Sequence, residues 1–266
     1  MKQIINIYKI KKIINKILSQ FNLQLVNRTW YKKLIPENGK FDDEGFSAKI
    51  NKKHFIDYFA FLHLSKSQFR QDLFVLSELG FKKKGFFLEF GATNGIDLSN
   101  THLLETHFGW NGILAEPAIS WHPELLSNRE AKIDKNCVWK LTGEKILFNE
   151  VADKELSSID VFSNSDGRNR NKKNSSVKYE VETISLYDLL KKHNAPFNID
   201  YLSIDTEGSE FEILNAFDFD TFDIKVITCE HNYTQMRQKI FKLLTDKGYV
   251  RKYSQFSLCD DWYVRQ

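Results

Sequence analysis

The sequence predicts an α/β domain built on a mostly parallel sheet, and three observations predict it. From Gly85 onward, short apolar runs alternate with amphipathic stretches, the mark of β-α-β units. Four of those runs end in an acid, at Glu89, Glu116, Asp205 and Glu230. The first leads into a small-residue turn, "GATNG" at 91–95, and then into a helical pattern. Ligands of open α/β sheets sit beyond the carboxyl ends of the strands, so these acids are expected to converge on one site.

The elements follow in chain order. "MKQIINIYKIKKIINKILSQF" sets Ile4, Ile7, Ile10, Ile14, Ile17 and Phe21 at three- and four-residue steps between lysines, an amphipathic helix. It either packs on the main domain or lies on an anionic membrane; a 1–25 peptide pelleting with anionic liposomes selects the second. "PENGKFDDEGFS" at 36–47 reads as a linker. Helices are expected over 50–64 and 65–80, the second opened by a Ser65/Gln68 capping box and stopped by Gly80. Strands follow at 85–90, 112–116, 136–139, 199–205, 224–230, 249–253 and 257–264. Helices fall between them at 99–108, 120–128, 185–193, 209–217 and 233–248. The last two strands have no helix between them, so they form an edge hairpin with one strand antiparallel. "VFSNSDGRNRNKKNSSV" at 161–177 is polar and aperiodic, an exposed loop of the kind that often contacts substrate. The expected division is a basic helical extension, 1–64, and a main domain, 65–266.

Composition bounds the function. A 42% hydrophobic and 27% charged chain is an ordinary globular protein. Residues 1–84 hold 17 Lys and Arg against 7 Asp and Glu, whereas the rest hold 21 against 28, so the two parts do different work. No run reaches the roughly 18–20 apolar residues of a membrane span, and the unbroken apolar centre of a secretory signal is missing. Three scattered cysteines suggest neither disulfides nor a zinc site. The expected location is the cytoplasm, with residues 1–21 either packed on the main domain, the preferred reading, or in peripheral contact with a membrane. Specific nucleic-acid binding is not expected, because no aromatic-and-basic platform motif is present.

Thr93 stands where a dinucleotide fingerprint has its second glycine, and the turn lacks the lysine of a P-loop, so a pyrophosphate ligand is disfavoured. An acid at Glu89 suits a ligand with a positive charge. Glu116, 25 residues beyond Gly91, holds the second-strand position from which a carboxylate grips both hydroxyls of a ribose. An amine joined to a ribose points to S-adenosylmethionine.

"GFFLEFGATNGIDLSNTHLLETHFGWNGILAEP", "NCVW", "VETISLYDLL", "DYLSIDTEGSEFEIL" and "CEHN", in that order, resemble the FkbM family of S-adenosylmethionine-dependent methyltransferases. The resemblance runs from about Ser65 to the C-terminus. It implies a seven-stranded class I methyltransferase sheet with helices on its faces and O-methylation of a hydroxyl on a sugar, glycan or small metabolite. By position it implies Glu89, Gly91, Ala92, Thr93 and Gly95 at the methionine end of the cofactor, and Glu116 with Pro117 at the ribose. Ser99 and Asn100 start the next helix and would meet the cofactor carboxylate, and the backbone of Val138 would serve the adenine.

Transfer of a methyl group to an alcohol needs a base. Asp205 and His231 are the candidates, with Glu207 orienting base or substrate, and Asn232 and Glu230 on the substrate side. A rival arrangement has Asp205, Glu207 and Glu230 holding a magnesium or manganese ion; the reading without metal is preferred. The rival functions are a nicotinamide oxidoreductase and a non-catalytic module docked to a membrane or partner.

Overall fold

A computed structural model describes residues 41–152, 154–163 and 176–266. The amphipathic helix at 1–21 and most of the 161–177 loop lie outside these residues.

Seven strands form the main sheet: β1 (Phe86–Phe90), β2 (Asn111–Ala115), β3 (Lys132–Asp134), β8 (Asn198–Ile204), β9 (Asp223–Glu230), β10 (Tyr249–Lys252) and β11 (Asp260–Arg265). Their spatial order is β10-β11-β9-β8-β1-β2-β3. All neighbours pair in parallel except those of β11, which runs antiparallel to both β9 and β10. This is the seven-stranded sheet that the resemblance implies, with the expected edge hairpin. The order reverses between β1 and β8, and their carboxyl ends leave a crevice there.

Both faces are covered, which is why the strands read as continuous apolar runs. Leu88, Leu202 and Ile227 lie in register across three strands and belong to the core under α6 (Leu186–Lys192), α7 (Glu210–Ala216) and α8 (Met236–Asp246). Phe74 of α3 (Gln71–Glu78) stacks on Trp262 of β11 at 4.7 Å between ring centroids. The remaining helices of the domain are α4 (His102–Phe108) and α5 (His122–Asn128).

Several expectations are corrected. The strand expected at 136–139 is not the third strand of the main sheet. That place is taken by β3, whose three residues are too short to show a period. Cys137–Trp139 is β4 of a second sheet with β5 (Lys145–Glu150), β6 (Ser158–Ile159) and β7 (Val177–Ser185), in the order β4-β7-β5-β6. Val177, taken as loop, opens β7.

The capping box does not form. Ser65 donates its hydroxyl to Asp72, Ser67 Oγ accepts from the Asp72 N–H, and α3 starts at Gln71 behind an Arg70 with φ 62°. The described end of the expected linker is α1 (Asp43–Ser47), capped by Asp42. Its Phe46 is wholly buried, edge-on to Trp262 at 5.6 Å. Asp43 takes the buried Arg70 guanidinium at 3.0 Å and the hydroxyl of Tyr58, in α2 (Phe55–Phe61), at 2.7 Å. Residues 41–64 thus pack into the domain that was expected to begin at Ser65. The polar run "DDEG" disguised the helix that carries Phe46.

Candidate functional site

A cleft enclosing about 860 Å³, open solvent included, lies over the carboxyl ends of β1, β2 and β8. It is lined by Glu89, Gly91, Thr93, Ser99, Asn100, Glu116, Pro117, Val138, Asp205 and Glu207 among the expected residues. Ala92, Gly95, Glu230, His231 and Asn232 are not on its surface.

Glu116 stands just past β2 and is 4% exposed. Its two oxygens accept from the N–H groups of Thr93 and Ala118, both at 2.8 Å. Those bonds hold the glycine turn against the end of β2 and leave about two lone-pair sites unused. Burial pushes the Glu116 carboxyl up to about 7, against the pull of the Ala118 and Thr93 amides. The unfolded group titrates near 4.5, so its contribution to stability is complete below that pH and is lost as pH rises to about 7, at about 1.4 kcal/mol per pH unit. The melting midpoint of ligand-free protein is therefore expected to fall between about pH 5 and 7. Glu116→Gln is expected to flatten that fall.

Glu89 has a different role from the expected one. Its carboxylate accepts from Ser99 Oγ at 3.0 Å, the Asn100 N–H at 2.6 Å and Thr101 Oγ1 at 2.5 Å. Arg129 Nη1 stands 3.5 Å away. A carboxylate offers about four acceptor sites, so Glu89 is filled by its own chain and is not open to an amine. The same bond occupies the Asn100 N–H, and Ser99 Oγ accepts from the N–H groups of Thr101 and His102, so the helix start expected to meet a carboxylate is already capped.

The residue at the centre of this network, Arg129, was missed by the sequence reading. It reaches the Gly95 carbonyl at 3.0 Å, Ser99 Oγ at 3.1 Å, Thr101 Oγ1 at 2.8 Å and Glu105 at 2.7 Å. A Cβ on Gly95, at φ +80°, would lie 2.6 Å from Arg129 Cγ, and one on Gly91, at φ +78°, 2.0 Å from the Asp205 carbonyl oxygen. Both glycines are demanded by the chain's own packing.

The acid absent from "CVWKLTG" exists one strand earlier, at Asp134. It accepts from Lys192 at 2.8 Å and His193 at 2.7 Å, is held below its usual range despite burial, and does not line the cleft. The cleft wall there is apolar, from Val138, Phe148 and Ile159. Phe148 and Ile159 come from the second sheet and were not anticipated.

Across the cleft, the "DTEG" turn carries Asp205 and Glu207, with Glu207 at φ 58° and Gly208 at φ 126°. Glu210, in the first turn of α7, holds the turn by accepting from the Thr206 N–H, Thr206 Oγ1 and the Gly208 N–H at 3.0, 3.0 and 2.9 Å. Asp205 opens to solvent in the cleft. The protein mass around it, then Asp260, raise its carboxyl above the usual carboxylate range; solvent in the cleft screens part of that push. Behind it lies Glu230, 7% exposed, raised strongly by burial and then by Asp205. Carboxylate oxygens of Asp205, Glu207 and Glu230 lie within 4.8 Å of one another. Asn232 donates to Glu207 at 3.3 Å.

His231 is not placed to act as a base. Its Nδ1 accepts from the Tyr233 N–H at 2.9 Å, which puts the ring proton on Nε2, 3.8 Å from buried Asp261. Burial lowers its pKa to about 4, with Asp261 opposing. His231→Gln is expected to leave the pH profile of the reaction where it is in the parent protein, and a shifted acid limb would contradict this placement.

The described residues contain no helix long and apolar enough to cross a membrane. No curated protein matches the chain. Among solved structures it is similar to a methyltransferase FkbM from Methylobacillus flagellatus KT, with 11% identity, TM-score 0.45, and 88% of this chain and 57% of that one covered. It is also similar to a precorrin-6y C5,15-methyltransferase from Geobacter metallireducens GS-15, with 12% identity, TM-score 0.37, and 73% and 85% covered. The chain thus spans little more than half of the first protein. Neither likeness is close enough to transfer what those proteins act on. The sequence profile of the methyltransferase FkbM domain is the decisive comparison, for it matches residues 89–251. That stretch runs from Glu89 at the end of β1 to Arg251 in β10 and holds all four strand-end acids, and on it the chain belongs to the FkbM methyltransferase family.

Proposed function

We propose that the chain transfers a methyl group from S-adenosylmethionine to a hydroxyl of a sugar, glycan or small polyhydroxylated metabolite. The observation that carries this is Glu116, fixed by the glycine turn, on one side of the cleft over the strand ends with Asp205 on the other. The chemistry of the lining fits the cofactor. Glu116 has lone pairs to spare for two ribose hydroxyls, Val138, Phe148 and Ile159 offer an apolar wall for adenine, and no lysine stands in the turn to attract a pyrophosphate.

When bound, the cofactor supplies an electrophilic methyl group on a sulfonium. The chain's part is to position the acceptor and remove its proton. Asp205 opens to the cleft with a raised proton affinity, which suits a base working near neutral pH. Glu210 fixes the turn that aims it. Glu207, steadied by Asn232, orients the acceptor.

The test is methyl transfer from radiolabelled S-adenosylmethionine to a panel of sugars and polyols. Asp205→Asn is expected to lower kcat about 10²–10⁴-fold while S-adenosylhomocysteine binds as before. An unchanged kcat removes Asp205 as the base, and reduction of a substrate with NADH in place of methylation sinks the reading.

A further inference from the structure

We propose that the outward face of α2, with the lysines at 52–53 and 82–84 beside it, is a docking surface for an anionic phospholipid bilayer. The proposal stands apart from the methyl-transfer reading. α2 has the sequence "FIDYFAF", apolar at every position but Asp57. A helix that is apolar all round is expected to be buried. This one is buried on one side alone. Tyr58 lies in the core and donates its hydroxyl to Asp43, and the Phe61 ring packs on Phe108 at 4.7 Å. Phe55 and Ile56 point outward, 46% and 57% exposed, and Ala60 is exposed one turn further on. A single exposed apolar residue is ordinary, but two bulky neighbours on a helix whose inner side is already packed form a face without a cover.

Charge names the occupant. Lys49, Lys52 and Lys53 lead into α2 and are exposed. His54 brings a second basic run beside them, because its ring lies 5.4 Å from that of Phe81, which Lys82, Lys83 and Lys84 follow, all exposed. Phe61, at the other end of α2, meets the same Phe81 at 6.1 Å. Among the described residues, one of these six lysines is paired with an acid, Lys82 with Asp200 at 2.7 Å. Asp57 is the one acid of residues 49–61, and it faces His54 at 3.6 Å.

Apolar side chains that enter the headgroup layer, flanked by lysines that meet its negative surface potential, hold a protein on an anionic bilayer; the two contributions add where either alone is weak. Such a surface needs no matching groove and accepts long lysine side chains in many rotamers. A second copy of this face would bring like charge to it, and so would residues 1–21, with five lysines and no acid. β1 runs from Phe86, just past this basic run, to Phe90 at the cleft. The docking face and the cleft therefore lie at opposite ends of the strand, so a docked domain keeps its cleft clear of the lipid.

The test is co-sedimentation of the whole chain with vesicles of phosphatidylcholine, alone or mixed with phosphatidylserine. The mixed vesicles are expected to bind at least about tenfold tighter than the neutral ones. Phe55→Ser/Ile56→Ser is expected to weaken binding to the mixed vesicles at least about fivefold, and Lys52→Glu/Lys53→Glu/Lys83→Glu at least about tenfold. All five side chains are exposed, so both variants should melt within about 2 °C of the parent protein. Binding to neither vesicle, or equally to both, overturns the proposal. So does either variant binding the mixed vesicles as the parent does, which would leave any attachment to residues 1–21. A parent dimer that Phe55→Ser/Ile56→Ser converts to a monomer, with vesicle binding unchanged, also overturns it and assigns the face to a second copy of the chain.

Discussion

Arg129→Met is expected to lower stability by about 3–5 kcal/mol, seen as a fall of the melting midpoint on the order of 10 °C. The Arg129 side chain is fully buried and joins Glu89, Glu105, Ser99, Thr101 and the Gly95 carbonyl. Methionine fills much of its volume but leaves the buried Glu89 carboxylate and the part-buried Glu105 carboxylate without their cation, and breaking a buried pair in this way is costly. Ligand binding should weaken as well, because the glycine turn and the start of α4 are tied together through this guanidinium. Adding Glu89→Gln to the variant removes one stranded charge and should recover part of the loss. A variant that melts with the parent protein would show that Arg129 does not hold the turn.

Gly91→Ala is expected to cut methyl transfer by at least about 100-fold, because alanine here moves Asp205, the proposed base. Its Cβ would lie 2.0 Å from the Asp205 carbonyl oxygen, a backbone atom that cannot swing aside. The carboxyl ends of β1 and β8 must separate to admit it, and a displacement of about 1 Å at a reacting group is enough for such a loss. Gly109→Ala is the control. Gly109 has φ +64° and nothing within 4 Å of an added Cβ, so it bears the left-handed strain alone, about 1–2 kcal/mol, without loss of rate. Equal behaviour of the two variants would remove the close approach of β1 and β8 as the reason for glycine at 91.

What the sequence made legible follows from the length scale of each signal. β1, β2, β8 and β9 could be read because each is an apolar run ended by an acid, and the helices between them because their apolar periods survive over two turns or more. β3 was lost because Lys132–Asp134 is three residues long. The second sheet was lost because β5 and β7 mix exposed and buried positions among charges, as at Lys145–Glu150 and Val177–Ser185. The acids were found as residues, but their work depends on partners distant in sequence. Glu89 looked like a ligand's counter-charge until Arg129, 40 residues on, was placed beneath it. Glu116 kept its expected place because its partners lie in the turn and just beyond the strand. His231 looked like a base because nothing in "CEHN" shows that the ring is buried and that the Tyr233 N–H occupies its Nδ1.

The central claim is that Glu116 anchors S-adenosylmethionine in this cleft. It is tested most directly by melting curves of the parent protein and Glu116→Ala, each with S-adenosylmethionine, S-adenosylhomocysteine, NADH or no ligand. A ligand at about 100 times its dissociation constant adds about 2.7 kcal/mol, or about 5–10 °C for a domain of this size. The account predicts that shift with both sulfur ligands, none with NADH, and none with any ligand in the variant measured against its own ligand-free midpoint. A shift with NADH alone, or one with the sulfur ligands that survives Glu116→Ala, would contradict it.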